Sequence, residues 1–135
     1  MDELQVFARQ VFDSQPFSQF IGAELMTASA EEVEIALTIK DHHKQQHDFV
    51  HGGVISYLAD NAITFAGGLA LGGNALTVEF KINYLRPAVG SRLIAIAHPR
   101  SAGKRMATCQ CEIYVIKDEE RKLCALAQGT IAPAG

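Results

Sequence analysis

Residues 51–73, HGGVISYLADNAITFAGGLALGG, decide the fold. A His-Gly-Gly turn at His51, Gly52 and Gly53 opens a run whose apolar positions Ile55, Leu58, Ala59, Ala62, Phe65, Ala66 and Leu69 follow the spacing of one helical face. Gly72 and Gly73 supply the stop. The spacing predicts one long helix over about residues 53–71. Asp60 is the only formally charged residue between Asp48 and Glu79. A charge alone in an apolar run is costly to bury unless it is paired or used. Glycines at a helix start expose backbone N–H groups that bind developing negative charge. A carboxylate and an anion hole together form a kit for attacking an acyl bond.

Working outward, the N-terminal stretch 2–14 places Leu4, Val6, Phe7, Val11 and Phe12 at helical spacing, ending before Pro16. Residues 17–22 read as a connector and 23–29 as a weak strand. Val33, Ile35, Leu37 and Ile39 alternate with polar residues, the mark of a strand with one buried face. The segment DHHKQQHDFV at 41–50 is polar and irregular. After the long helix come four strand candidates, at 76–84, 92–98, 106–116 and 122–131. Consecutive strands on short turns are expected to pair antiparallel. The result is a single α+β domain spanning 1–135, with an N-terminal helix at about 2–14 and a core at about 17–133. The sheet is expected to pack on the long helix.

Composition narrows the function classes. With 135 residues the chain is long enough for a full core, and 48% hydrophobic with 20% charged residues suits a water-soluble domain. A net charge of −3 and no basic run argue against nucleic acid as a partner. No stretch of about 18 consecutive apolar residues is present, so no membrane span is expected. The N-terminus carries acids early and lacks the apolar core of a signal peptide, so the expected compartment is the cytoplasm. Cys109, Cys111 and Cys124 include no Cys-x-x-Cys pair and read as small packing residues. His42, His43 and His47 lack further ligands in a regular pattern, so no metal site is expected.

With Ile55, Ala59, Ala62 and Ala66 turned to the sheet, Asp60 points nearly the opposite way, beside Gly53, Ser56, Tyr57, Thr64 and Gly67. That side carries small, weakly polar residues where a solvent face would carry Lys, Glu and Arg. It is expected to be covered, with a second copy of the chain as the candidate cover.

These features have a family likeness. His51-Gly52-Gly53 with an acid nine positions after the histidine, the strand TVEFKINYLRPAVG at 77–90 with its Arg86-Pro87 break, and Ala-Gln-Gly-Thr at 127–130 resemble the hotdog-fold acyl-CoA thioesterases. The match is to the phenylacetate-pathway branch of the 4-hydroxybenzoyl-CoA thioesterase superfamily, and it runs from about residue 17 to the end. The resemblance implies a long central helix wrapped by a curved antiparallel sheet. It also implies a homodimer, often paired into a homotetramer, with active sites shared across the dimer interface. Asp60 then matches the catalytic carboxylate, as general base or as nucleophile. Gly52 matches the backbone donor to the thioester oxygen, with Gly53 beside it, and His51 matches a positioning residue. Gln45, or Gln46 if the loop register slips by one, stands where the branch usually has Asn, and Thr77 matches a hydroxyl that orients water.

On the same likeness Arg86, Arg100, Lys104 and Arg105 are candidates for the coenzyme A phosphates. Tyr57, Phe49, Leu58, Ile63 and Phe80 are candidates for an apolar acyl pocket. Coenzyme A is part of the substrate, so no separate cofactor is implied. The expected reaction is hydrolysis of an acyl-CoA, aromatic or fatty, to acid and free coenzyme A. The alternatives are a non-catalytic acyl-CoA or lipid-binding module and a hydrolase for acyl groups on a carrier protein. A hydratase is disfavoured, because Asp41 and His47 are six apart with no proline between them.

Overall fold

The computed structural model describes residues 2–135. Asp2 caps helix α1 (Glu3–Asp13) by accepting the Gln5 N–H at 2.8 Å. Pro16 then starts a second helix, α2 (Pro16–Ile21), closed by Gly22 at φ 85°. This helix falls where a connector was expected, because six residues are too few to display an apolar period. Strands β1 (Ala23–Ala28) and β2 (Val33–Thr38) follow, then a 3-10 turn at Asp41–His43, helix α3 (Gly52–Leu71), and strands β3 (Ala75–Tyr84), β4 (Arg92–Ala102), β5 (Ala107–Lys117) and β6 (Glu120–Pro133).

The strands make one antiparallel sheet in the order β1-β2-β4-β5-β6-β3. The hairpin neighbours pair as their short turns demand, but β3 and β4 do not pair. Their connection, residues 85–91, carries Pro87, which has no N–H to give a ladder. It is also pinned across other strands, with Leu85 N–H donating to Cys124 O and Ser91 N–H to Ile116 O, both at 2.8 Å. The chain thus crosses the ends of β6 and β5, and β3 takes the free edge beside β6.

The sheet curls around α3, which meets every strand from β2 to β6. Leu58 and Ile63 are wholly enclosed, as are Ile35, Leu37, Leu93, Ile113 and Ile131 on the sheet. Each such side chain contributes about 1.5–3 kcal/mol of burial free energy. By length and composition α3 could cross a membrane; here its apolar character fills the inside of the sheet. Cys109, Cys111 and Cys124 are buried free thiols in the same core, and burial pushes Cys109 and Cys124 up to about 11.

One expectation about the second face of α3, that Gly67 lies on it, is corrected. The sheet reaches further round than one face, so Gly67 abuts β6: a Cβ there would lie 2.6 Å from Ile131 Cβ. The N-terminal helices touch part of the remainder. Phe12 of α1 packs on Phe65 with ring centroids 5.9 Å apart, and Ser18 of α2 meets the Tyr57 hydroxyl at 2.5 Å.

The loop into α3 hangs on His43, which is 2% exposed. Its Nδ1 accepts the Lys40 N–H at 2.9 Å and its Nε2 lies 2.8 Å from Ile21 O. Both bonds require the neutral ring protonated at Nε2. Burial is the main force holding its pKa below 6.5; the charges of His42 and Lys40 act the same way, and the bond to Ile21 opposes them.

Two outcomes follow from this packing. Gly67→Ala should lower stability by about 1–3 kcal/mol in urea unfolding; a wild-type midpoint for Gly67→Ala would contradict the close approach. A depressed histidine pKa means that the unfolded chain takes up the proton first as pH falls. The His43 contribution should therefore be complete above pH 6.5 and shrink as pH drops through the lower folded value. Thermal unfolding of wild type and His43→Asn from pH 8 to about 5 should show the gap between them closing on the acid side.

Candidate active site

The first turn of α3 is built from His51, Gly52 and Gly53. His51 is the N-cap, and its Nδ1 accepts the Gly53 N–H at 2.8 Å. Of the two glycine amides, Gly53 is thus engaged, whereas Gly52 N–H has no acceptor among the described residues. The helix dipole adds positive potential at the same point. The missing side chain matters here, because a Cβ at Gly52 would lie 3.2 Å from the Tyr84 hydroxyl.

Asp60 lies eight residues further along α3, about 12 Å down the axis. It is half-buried, and its Oδ1 accepts from Thr77 Oγ1 at 2.6 Å and from Thr64 Oγ1 at 3.4 Å. The two threonine hydroxyls lie 2.7 Å apart. Oδ2 has no donor among the described residues. One oxygen is therefore anchored and the other is free to accept from a water or to meet a carbonyl carbon. Thr77 is aimed by an irregularity in β3, whose register against β6 shifts between Thr77 and Glu79.

Gln45, Phe49, Gly52, Gly53 and Arg86 line one open groove of about 520 Å³, together with Tyr84. The Gln45 amide oxygen accepts the His47 N–H, so its NH₂ is the group left for a ligand. His51 sits at the mouth of this turn, exposed.

Other candidates lie elsewhere in the chain. Tyr57 turns to the N-terminal helices, its hydroxyl bonded to Ser18 and Asn61 and its ring 5.2 Å from Phe17. Burial pushes that phenol's pKa up. Arg100 lies on the outer sheet face, where its Nε donates to Gln110 at 2.9 Å. Lys104 and Arg105 occupy the exposed β4–β5 turn. Leu58 and Ile63, named for the acyl pocket, are sealed in the core at 0% exposure.

The structure adds two things that residue patterns did not reveal. Thr64 shares the Asp60 carboxylate, and the only signal for it was its i+4 position on the helix. Thr64 also opens a small apolar cleft of about 70 Å³ between α1 and α3, walled by Phe7, Val11, Phe65, Leu69 and Ala75.

Comparison with known proteins agrees with this geometry. The sequence model of the thioesterase superfamily matches residues 47–124. A Deinococcus radiodurans protein with a provisional esterase name is 31% identical over 121 residues, covering 89% of this chain and 80% of the relative. The acyl-coenzyme A thioesterase PaaI of Escherichia coli is 27% identical over 126 residues, covering 90% of this chain and 85% of that protein. A thioesterase family protein from Silicibacter pomeroyi superposes with a TM-score of 0.91 at 30% identity, covering 96% of each chain. The carboxylate of Asp60 with its threonines and the free amide at the glycine-rich helix start fall inside the matched residues, the antiparallel sheet curled around that helix is shared with the superposed structure, and this chain belongs to the thioesterase superfamily, with a PaaI-like hotdog fold.

Proposed function

We propose that the chain hydrolyses acyl-CoA thioesters at a site completed by a second copy of itself. The observation that carries this reading is the separation of the two unsatisfied groups. Gly52 and Asp60 are eight residues apart, a rise of about 12 Å along the helix axis, too far for both groups to serve one thioester. Ser56 lies midway between them in the sequence. Two α3 helices packed antiparallel about a two-fold axis near Ser56 would set Gly52 of one copy opposite Asp60 of the other. The free edge of β3, with Leu76 and Val78 63% and 60% exposed, gives the second copy a surface to pair with.

In this reading the thioester oxygen rests on Gly52 N–H. Asp60 Oδ2 takes a proton from water as the water oxygen attacks the carbonyl carbon. The oxyanion is held by Gly52 and the helix dipole. The C–S bond then breaks, and the coenzyme A sulfur leaves with the proton from Asp60. Thr77 fixes the carboxylate throughout. Direct attack by Asp60 would pass instead through an anhydride, and water attacking its aspartyl carbonyl would place solvent oxygen in Asp60 in a single turnover. The groove beside Arg86 suits the coenzyme A arm, and the cleft beside Thr64 suits the acyl group. That cleft, about 70 Å³, is under half the ~150 Å³ that admits benzene, so it favours short acyl groups over long chains and rings. No cofactor enters beyond the coenzyme A of the substrate.

Release of free thiol from acetyl- to palmitoyl-CoA, with phenylacetyl- and benzoyl-CoA, tests the reaction. Asp60→Asn should lower kcat by about 10²–10⁴-fold with unchanged thermal unfolding. Retained turnover would remove Asp60 from the mechanism, and an inactive wild type across the panel would leave a binding module or a carrier-protein hydrolase. The shared site should also show in an equimolar mixture of Asp60→Asn and Gly52→Pro chains. Subunit exchange should restore turnover to one site in each mixed dimer. A fully active monomer in sedimentation would overturn the two-copy site.

A further inference from the structure

Glycine at position 52 leaves room for a close ligand but gives the peptide that carries the donor N–H wide rotational freedom. That peptide is His51 C=O–Gly52 N–H. Its carbonyl accepts the Val54 N–H at 2.9 Å and the Ile55 N–H at 3.4 Å, and its aim depends further on what holds the backbone on each side of it. On the N-terminal side, His51 N–H donates to His43 O at 2.9 Å. His43 is itself immobilised, because its buried ring bridges Lys40 N–H and Ile21 O and so ties the loop to the end of β2 and the end of α2. On the C-terminal side, the Tyr84 hydroxyl reaches Gly52 O at 3.0 Å and Ser56 Oγ at 2.5 Å. Tyr84 closes β3, the strand that also presents Thr77.

We propose that His43 and Tyr84 are positioning residues that clamp the His51–Gly52 peptide from its two sides and aim the Gly52 N–H at the substrate oxygen. The inference rests on the thioesterase reading of the site for its kinetic consequence and on the hydrogen bonds alone for its structural one. Neither residue donates to the oxyanion. A peptide plane flanked by two fixed points cannot swing, so the donor is in place before substrate arrives, as electrostatic preorganisation requires. The arrangement also explains why a tyrosine at this position suits a glycine at 52. The hydroxyl occupies the space that a Cβ would need.

The two ties act on one peptide, so their loss should not add. Freed on either side, the plane is held only by the Val54 and Ile55 N–H groups that donate to His51 O, and freeing the other side costs little more.

The test uses full-length Tyr84→Phe, His43→Ala and the double variant, with His43→Asn as the conservative control. An Asn side-chain oxygen can replace Nδ1 as acceptor for Lys40 N–H. Tyr84→Phe should lower kcat about tenfold with KM within about twofold, the size expected for one lost hydrogen bond acting in the transition state. His43→Ala should do the same, His43→Asn should recover most of the loss, and the double variant should fall little below either single one. Amide hydrogen exchange gives an activity-free readout: the Val54 amide, which donates to the His51 carbonyl of the same peptide at 2.9 Å, and the His51 amide in His43→Ala, should exchange faster while the middle of α3 keeps its protection. Unchanged kcat in Tyr84→Phe, a loss confined to KM, or multiplicative single losses would overturn the clamp. If the wild type proved inactive on every thioester, the proposed reaction would fall, and the exchange data would still decide the clamp, since unchanged Val54 exchange in both single variants would reject it.

Discussion

The distance between the backbone of α3 and the inner face of β6 governs most of this structure. Gly67 and Gly129 allow the two to come so close that a Cβ at either would meet atoms 2.6 Å away. That approach lets a curled sheet enclose a 20-residue helix and lets β3 follow β6 around its flank. Once β3 is there, Thr77 stands over Asp60, and the one charge of an apolar helix gains its hydrogen bonds. A wider gap would leave the carboxylate half-buried with no donor, at a cost that an apolar helix has little to offset.

The helix is polarised in function as well as in burial. Its first turn is left with a free donor and its middle with a free acceptor. In the proposed reaction the same twenty residues hold both halves of the site, at a spacing that keeps them from joint use within one chain. The exposed apolar edge of β3 and the small residues near Ser56 are arranged so that assembly would resolve that mismatch. On this view the stability of the dimer and the completeness of the site are the same property.

The loop before α3 shows how local chemistry sustains a distant geometry. His43 resembles a ligand or an acid-base group when seen only as one of several nearby histidines. In the fold it is a neutral crosslink between two backbone segments, and its carbonyl is what fixes the helix entrance. Tyr84, at the end of an alternating strand, gives no sign in the sequence that its hydroxyl would reach a glycine carbonyl 32 positions away.

The sequence by itself determined what depends on near neighbours and on periodicity. The helix shows in the spacing of its apolar residues, its start in His-Gly-Gly and its stop in Gly72. The strands show in their alternation, and the candidate carboxylate in the isolation of Asp60 among uncharged residues. The short α2 escaped because one and a half turns carry no period. Tertiary structure alone decided which strands pair, since a seven-residue link containing Pro87 is compatible with pairing or with crossing until its ends are anchored on Cys124 and Ile116. It also turned Gly67 to the sheet, sent Tyr57 to the N-terminal helices, and joined Thr64 and Thr77 on Asp60. Those outcomes rest on contacts between residues remote in the chain, and their energies depend on distances that no local pattern encodes.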